Sequence, residues 1–276
     1  MERALPVIAV GLSIILTYML LPSLNRLFIA SGLSRVNFGE CRIPTAMGVL
    51  LLFVYLSTAL ILFHWFSDRF SVIFMLGLVW FGLLGFLDDL LGSPNRRGLR
   101  GHLQALSQGE LTTGGIKALG GVGGALFLSM LAWPGRFWWE LVISVLLIAL
   151  TANTINLFDL RPGRAAKLFL VWDLLLLIPP GGRGLAYALA PLAGGILAYL
   201  PFDLGAAVML GDTGANLLGY ALGMVMSGSL AATAQVAVVS ILILLHIISE
   251  QHSLTGIIEG NSFLRYIDNL GRAGIR

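Results

Sequence analysis

The sequence predicts an all-α polytopic membrane protein, a bundle of about nine transmembrane helices and between about eight and ten. Three observations lead there. Hydrophobic residues make up 57% of the 276 positions and charged residues 11%, whereas a soluble domain carries charge on about a quarter of its residues. Apolar runs near the length of one crossing, about 20 residues, recur along the whole chain. Lys and Arg gather in alternate connections between those runs.

The runs fall at 5–29, 46–66, 70–87, 115–133, 138–158, 165–179, 184–200, 214–231 and 234–249. The first follows a single cation, Arg3, and exceeds the apolar core of a signal peptide, so it reads as a retained membrane helix. In the fourth, Gly120-Gly-Val-Gly-Gly124 permits close approach of neighbouring helices. The sixth is short and carries Asp173, which is why the count brackets nine. Asp173 is either a functional intramembrane acid or a partner for another polar group in the bundle. No soluble domain or internal repeat interrupts the pattern, so residues 1–276 form one integral membrane domain, with 250–276 as a tail.

Two connecting segments have helical character of their own. Within 90–114, Leu99, Leu103 and Leu106 share one helical face, which suits either a short interfacial helix or a solvated basic loop. In the tail, Phe263, Ile267 and Leu270 recur at helical spacing and predict a short helix lying on the membrane surface.

Charge fixes an orientation. Placing the connections after the first, third, fifth and seventh helices, together with the tail, in the cytoplasm puts 13 of the 17 Lys and Arg there. The positive-inside rule then sets the N-terminus outside and the C-terminus in the cytoplasm of a plasma-membrane protein. Trp65, Trp133, Trp138 and Trp139 fall at the outer ends of helices, as interfacial aromatics do. The net charge of +3 therefore reports topology, and no nucleic-acid partner is expected. The single cysteine, Cys41, excludes a disulfide framework and a Cys-rich metal centre within the chain.

The polar residues of interest stand at helix ends. The fifth run leads into Asn153-Thr-Ile-Asn156-Leu-Phe-Asp159-Leu-Arg161-Pro162-Gly163-Arg164-Ala-Ala-Lys167. Asn153 and Asn156 are three residues apart on one helical face and Asp159 continues the same drift. Pro162 stops the helix and Gly163 lets the chain turn. Asp88 and Asp89 end the third run, and Asp212 opens the eighth in Gly211-Asp212-Thr213-Gly214. Taken singly, each is an ordinary polar helix end, and Asp212 an N-cap. Taken together, these carboxylates share one membrane face and repel one another unless a cation joins them. A few carboxylates with phosphate oxygens suit Mg²⁺. Arg96, Arg97, Arg100, Lys117, Arg161, Arg164 and Lys167 flank the acids, either as positive-inside anchors or as groups that bind phosphate. The second option points to phosphoryl transfer, where a protein positions groups and neutralises charge. Glu250 and Glu259 join such a site if the tail folds back over it, and His246 reads as a hydrogen-bonded packing residue.

Four motifs in order resemble the polyprenyl-phosphate N-acetylhexosamine-1-phosphate transferase family, the MraY/WecA-like glycosyltransferase family 4. They are Ile43-Pro44-Thr45-Ala-Met47-Gly48, Gly85-Phe-Leu-Asp88-Asp89, Asn153-Thr-Ile-Asn156-Leu-Phe-Asp159 and Gly211-Asp212-Thr213-Gly214. The resemblance implies transfer of a sugar 1-phosphate from a nucleotide diphosphate sugar, UDP-linked, to polyprenyl phosphate at the cytoplasmic membrane face, starting a cell-envelope glycopolymer. It implies Mg²⁺, with Mn²⁺ as the alternative, held by Asn153 and Asp212. It makes Asp88, Asp89 and Asp159 the catalytic carboxylates. Thr45, Lys117, Asn156, Arg161, Arg164 and Lys167 are the substrate-binding candidates, and a homodimer is compatible with it. The sequence departs from the family where a second Asp is usual and Pro162 stands, at Met209 in place of an aromatic, and in the lack of a His-rich segment after Ile248. A non-catalytic polyprenyl-phosphate-binding or transport protein of the same fold is the alternative reading.

Overall fold

The computed structural model describes residues 4–36, 40–92, 112–178 and 183–272, with only the backbone of Arg183. A helix occupies each of the nine apolar stretches. Six helical stretches among the described residues are long and apolar enough to cross a bilayer: Leu5–Ala30, Arg69–Leu91, Thr113–Ala132, Trp138–Phe158, Gly184–Leu204 and Ala232–Gln251. The 90–114 segment, with Leu99, Leu103, Leu106 and the Arg96, Arg97 and Arg100 cluster, lies mostly outside the described residues.

Helix α1 (Leu5–Ala30) opens the chain. A feature absent from the all-α expectation follows it: two short antiparallel strands, β1 (Ser34–Val36) and β2 (Arg42–Pro44), paired Ser34 with Pro44 and Val36 with Arg42. Each has three residues, too few to leave an alternating pattern in the sequence. Helix α2 (Gly48–Ile61) is apolar but only 14 residues long. Helix α3 (Arg69–Leu91) begins at Asp68, whose carboxylate accepts from the Ser71 amide at 3.1 Å. Helix α4 (Thr113–Ala132) begins at Thr112, whose hydroxyl accepts from the Gly115 amide at 3.1 Å. Both are N-caps of the ordinary kind.

Helix α5 (Trp138–Phe158) ends where the sequence predicts, and Gly163 adopts the left-handed conformation, φ +75°, that admits the turn. Helices α6 (Arg164–Leu176) and α7 (Ala190–Leu204) follow, α7 entered through the short turns Arg183–Ala186 and Tyr187–Leu189. Helices α8 (Gly211–Ser229) and α9 (Ala232–Gln251) complete the bundle. The tail forms α10 (Leu254–Gly260) and α11 (Ser262–Asn269). Helix α11 leaves Phe263, Ile267 and Leu270 exposed, in keeping with a surface helix and not a span.

Helix α8 is the centre of the fold. Its residues from Thr213 to Ser227 are all buried, and it packs most extensively on α5 and α3. The perimeter is different: only 17% of the apolar window in α4 and in α9 is buried, leaving faces suited to lipid. Small residues let α8 come close to its neighbours. A Cβ on Gly219 would strike the Ala152 backbone, one on Gly223 would lie 2.6 Å from Ile148 Cα, and one on Gly48 of α2 would strike Gly214. Across α3, Gly77 leaves room for the Tyr220 ring, which stacks on Phe81 at 4.8 Å between centroids.

The two ends of the bundle differ in chemistry. At the end where α3 begins, Arg136 donates to Ser144 Oγ at 2.7 Å and the Ser227 carbonyl at 2.6 Å and lies over the Trp133 ring. A cavity of about 500 Å³ there is lined by Leu5, Trp65, Phe66, Asp68 and Tyr187 among others. The acidic motifs are at the opposite end, where α3 finishes. Asp173 is buried in α6 with no hydrogen-bonding partner among the described residues.

The close packing of α8 gives a direct test. Gly219→Ala is expected to lower the thermal midpoint of the purified protein, since overpacking a tight contact costs about 1–3 kcal/mol. Gly123→Ala, where a Cβ meets nothing within 4 Å, should leave the midpoint unchanged or raise it, as Ala is favoured over Gly in a helix by up to about 1 kcal/mol.

Candidate active site

The start of α8 is built from a tight turn. Gly211 has φ +74°, and a Cβ there would lie 2.7 Å from Asp89 Oδ2 and 2.9 Å from the Ala46 nitrogen. Glycine is the residue that meets both demands. The Pro44–Gly48 segment pairs with this turn as an added backbone ladder. Met209 N–H donates to the Pro44 carbonyl at 3.1 Å, Met47 N–H to the Met209 carbonyl at 3.1 Å and Gly48 N–H to the Leu210 carbonyl at 2.9 Å. Thr45 is buried within this packing, its amide donating to the Leu33 carbonyl at 3.1 Å.

Asp212 lies inside the first turn of α8, and the capping group comes from another helix. Asp89, at the end of α3, accepts from the Asp212 amide at 3.0 Å, the Thr213 amide at 2.9 Å and the Thr213 hydroxyl at 2.6 Å. Asp159, just past the end of α5, accepts from the Gly211 amide at 3.1 Å. Two carboxylates thus satisfy the first amides of a helix whose start is enclosed by protein, where unpaired amides are costly. Arg35, on the strand pair, donates to the Asp89 carbonyl at 2.9 Å. Of the readings open to Asp212, the N-cap is not the one seen: its own amide is capped by Asp89.

That arrangement leaves Asp88 and Asp212 for other work. Their carboxyl groups meet, and Lys117 from the first turn of α4 joins them, with Nζ 2.9 Å from Asp212 Oδ1 and 3.5 Å from Asp88 Oδ2. All three side chains keep a minority of their surface exposed, 18% for Lys117 and 19% and 26% for the two acids, so the cluster faces an opening. The Thr113 hydroxyl also reaches Asp88. No group of three or more acids, histidines or cysteines able to cage a metal occurs among the described residues. A pair of carboxylates is nevertheless the protein share that Mg²⁺ takes when phosphates supply the remaining oxygens.

Asn153 and Asn156 stand on the last turns of α5, before Asp159. Asn153 is exposed on α5 and Asn156 half-buried. Among the described residues the carboxyl meeting Asp212 is that of Asp88, and no hydrogen bond joins Asn153 to it.

Beyond Asp159 the site has a neighbour that sequence reasoning missed. Asp203, near the end of α7, is 4% exposed, and its Oδ2 accepts from the Gly163 amide at 3.0 Å. Burial, followed by the negative charges of Asp203, Asp212 and Asp89, pushes the Asp159 carboxyl well above the usual carboxylate range, while the Gly211 N–H acts the other way. Asp203 had the same signal as Asp159, an acid at the end of an apolar helix, but no neighbouring motif drew attention to it.

The cations of the fifth connection are engaged by the tail. Arg164 is 5% exposed and grips Asp268 with both arms, Nε to Oδ1 at 2.8 Å and Nη2 to Oδ2 at 2.7 Å. Lys167 donates to the carbonyls of Ile267, Asp268 and Leu270 at 3.1, 2.7 and 3.1 Å. Arg161 pairs with Glu259 at 3.3 Å. The fold-back of the tail thus brings Glu259 to Arg161, and it takes Arg164 and Lys167 into protein contacts. Although burial acts to raise it, hydrogen bonds and charge from Arg164 and Arg272 hold Asp268 down at about 2. A carboxyl lowered in this way contributes stability that is complete above its ordinary pKa of about 4 and fades as pH falls toward about 2.

The structure is thus a mostly helical bundle that carries two carboxylates and a lysine at one end, set by a capped central helix. The family model for glycosyl transferase family 4 matches residues 70–243, a stretch running from α3 into α9. The chain belongs to this family, in its MraY/WecA-like group. The phospho-N-acetylmuramoyl-pentapeptide-transferase of Heliobacterium modesticaldum is 34% identical over 190 residues, covering 64% of this chain and 58% of that protein. The protein of the same name from Chlamydia trachomatis is 31% identical over 213 residues, covering 70% and 62%. One from a Thermoanaerobacter species is 29% identical over 189 residues, covering 65% and 58%. The chain spans about three fifths of the length of these relatives. It is a multi-pass membrane protein.

The two adjacent aspartates of α3 should separate in a stability measurement. Asp89→Ala removes three acceptor contacts from the start of α8 and is expected to cost about 1–3 kcal/mol in unfolding free energy. Asp88→Ala removes like-charge contact with Asp212 along with the Lys117 pair, and its cost should stay below about 1 kcal/mol. Denaturation of the two purified variants in one detergent gives the comparison.

Proposed function

We propose that this protein transfers a sugar 1-phosphate from a nucleotide diphosphate sugar to polyprenyl phosphate, leaving a lipid-linked diphosphate sugar and a nucleoside monophosphate. The observation that carries the reading is the Asp88–Lys117–Asp212 cluster, set by Asp89 and Asp159 at the start of the central helix. The name of the relatives, phospho-N-acetylmuramoyl-pentapeptide-transferase, supports a donor carrying an N-acetylhexosamine; we further propose that the donor is UDP-linked and that the product starts a cell-envelope polymer. The same end of the bundle holds Arg35, Lys117, Arg161, Arg164, Lys167 and Arg272, so we place it on the cytoplasmic side.

In the transfer, an oxygen of the lipid phosphate attacks the phosphorus next to the sugar. The bond between the two phosphates breaks, and the electron pair leaves with the nucleoside monophosphate. The lipid phosphate is largely ionised at neutral pH, its second pKa being about 6, so proton removal is a minor demand. Bringing two anions together is the main one, and positioning with charge neutralisation answers it. Lys117 supplies a fixed ammonium at the point where Asp88 and Asp212 meet, and its three donors let it pass from carboxylate to phosphate oxygen. Asp88 and Asp212 have the oxygen donors for Mg²⁺ or Mn²⁺, which when bound would neutralise phosphate charge between them. Asp89 and Asp159 act as positioning residues through the amides of Gly211, Asp212 and Thr213. Asn153, exposed, and Asn156, half-buried, stand beside this end and are available to donor hydroxyls or phosphates.

The test is direct. Protein in lipid, given polyprenyl phosphate, Mg²⁺ and a panel of nucleotide sugars, should release nucleoside monophosphate with at least one donor. Asp212→Asn and Lys117→Ala should each lower turnover by roughly a hundredfold or more while the protein keeps its yield and thermal midpoint within a few degrees. Absence of release with every donor, or full activity in Asp212→Asn, would overturn the assignment.

A further inference from the structure

We infer that the C-terminal helix α11 is an intramolecular clamp on the turn that carries Asp159, with Asp268 as its positioning residue. The turn 160–163 joins Asp159 to α6 and is gripped from two sides. From the core, Asp203 accepts the Gly163 amide at 3.0 Å. From the tail, Arg272 Nε donates to the Pro162 carbonyl at 2.9 Å and its other nitrogens reach both oxygens of Asp268, at 2.9 and 3.1 Å. Arg164, the first residue of α6, holds the same two oxygens. One carboxylate, 8% exposed, therefore joins the guanidinium that opens α6 to the one that grips Pro162.

Three further features tie the unit together. Arg164 Nη1 donates to Thr255 Oγ1 of α10 at 3.2 Å, so both tail helices are held. Lys167 closes the carbonyl end of α11, where a cation is favoured by the helix dipole. Leu204 of α7 lies between the two glycines of the joint: a Cβ on Gly163 would strike it, and one on Gly271 would sit 3.0 Å from it.

Paired forks of this kind fix orientation as well as distance, and opening one leaves a buried charge uncompensated. The consequence passes to the site by a short path. Asp159 holds the Gly211 amide, Gly211 precedes Asp212, and a turn that drifts carries this contact with it. Pro162 has no amide hydrogen to offer the turn, and its carbonyl is the acceptor for Arg272. The structural clamp stands by itself, whereas its effect on turnover rests on the transferase reading above.

Hydrogen exchange on the full chain in lipid nanodiscs tests the clamp, and kinetics test its use. In Asp268→Ala, amides of 159–167 should exchange about tenfold faster, while those of the α8 interior stay unchanged. Arg136→Ala, which cuts contacts to Ser144 and Ser227 at the far end, should leave 159–167 unaffected. Arg272→Ala, which spares the Arg164–Asp268 pair, carries the same measurement if Asp268→Ala does not yield folded protein. Unchanged exchange at 159–167, or an equal rise in Arg136→Ala, would overturn the clamp. With an active donor found, kcat of Asp268→Ala should fall roughly tenfold or more with donor KM within about twofold. Faster exchange with unaltered kcat would overturn the positioning role. A parent protein inactive with every donor would remove the transferase reading, and exchange alone would then decide the clamp.

Discussion

A helix that starts inside a protein must find partners for its first amides, because neither water nor lipid is there to take them. Helix α8 is such a helix, and its needs organise this molecule. Asp89 and Asp159 meet them from the ends of two other helices. Meeting them fixes where α3 and α5 must stop relative to α8, and that registry brings Asp88 against Asp212 within reach of Lys117. The proposed chemistry is thus a by-product of satisfied backbone: two acids hold the frame, and the two beside them turn to each other and to Lys117.

The frame depends equally on small side chains. The contacts of Gly48 with Gly214 and of Gly219 with Ala152 let backbones nearly touch, so the cap geometry is backed by packing with little freedom to slide. Perimeter helices such as α4 and α9 show the opposite character, mostly open to lipid along their apolar windows. The molecule is therefore stiff where the acids stand and lipid-solvated around its rim.

Much of this was legible in the sequence because lipid imposes a strong pattern. The apolar stretches, the stop at Pro162, the turn at Gly163 and the meeting of Asp88, Lys117, Asp159 and Asp212 at one end all follow from where charge can be tolerated near a bilayer. What stayed hidden depended on contacts between distant residues. The strands beside Arg35 are too short to leave a period. Asp203 lacked a motif around it. Helix α8 is enclosed by protein and carries glycines, Asn216 and Thr213, and in the sequence it is one apolar run among nine, with nothing to mark it as the centre. Arg164 and Lys167 read as phosphate ligands from proximity to Asp159, and only the fold-back of the tail reveals Asp268 as their partner. Residue type and spacing identify a cation at a membrane face; they do not say which anion it will choose.

The lysine between Asp88 and Asp212 has one more consequence. An ammonium tethered at that point sets a charge of the chain's own against the two carboxylates, 2.9 Å from Asp212 and 3.5 Å from Asp88, so their mutual repulsion is offset from within the bundle. An arriving anion would meet a cation that is already held in place by two partners, and taking it over means replacing carboxylate contacts with its own.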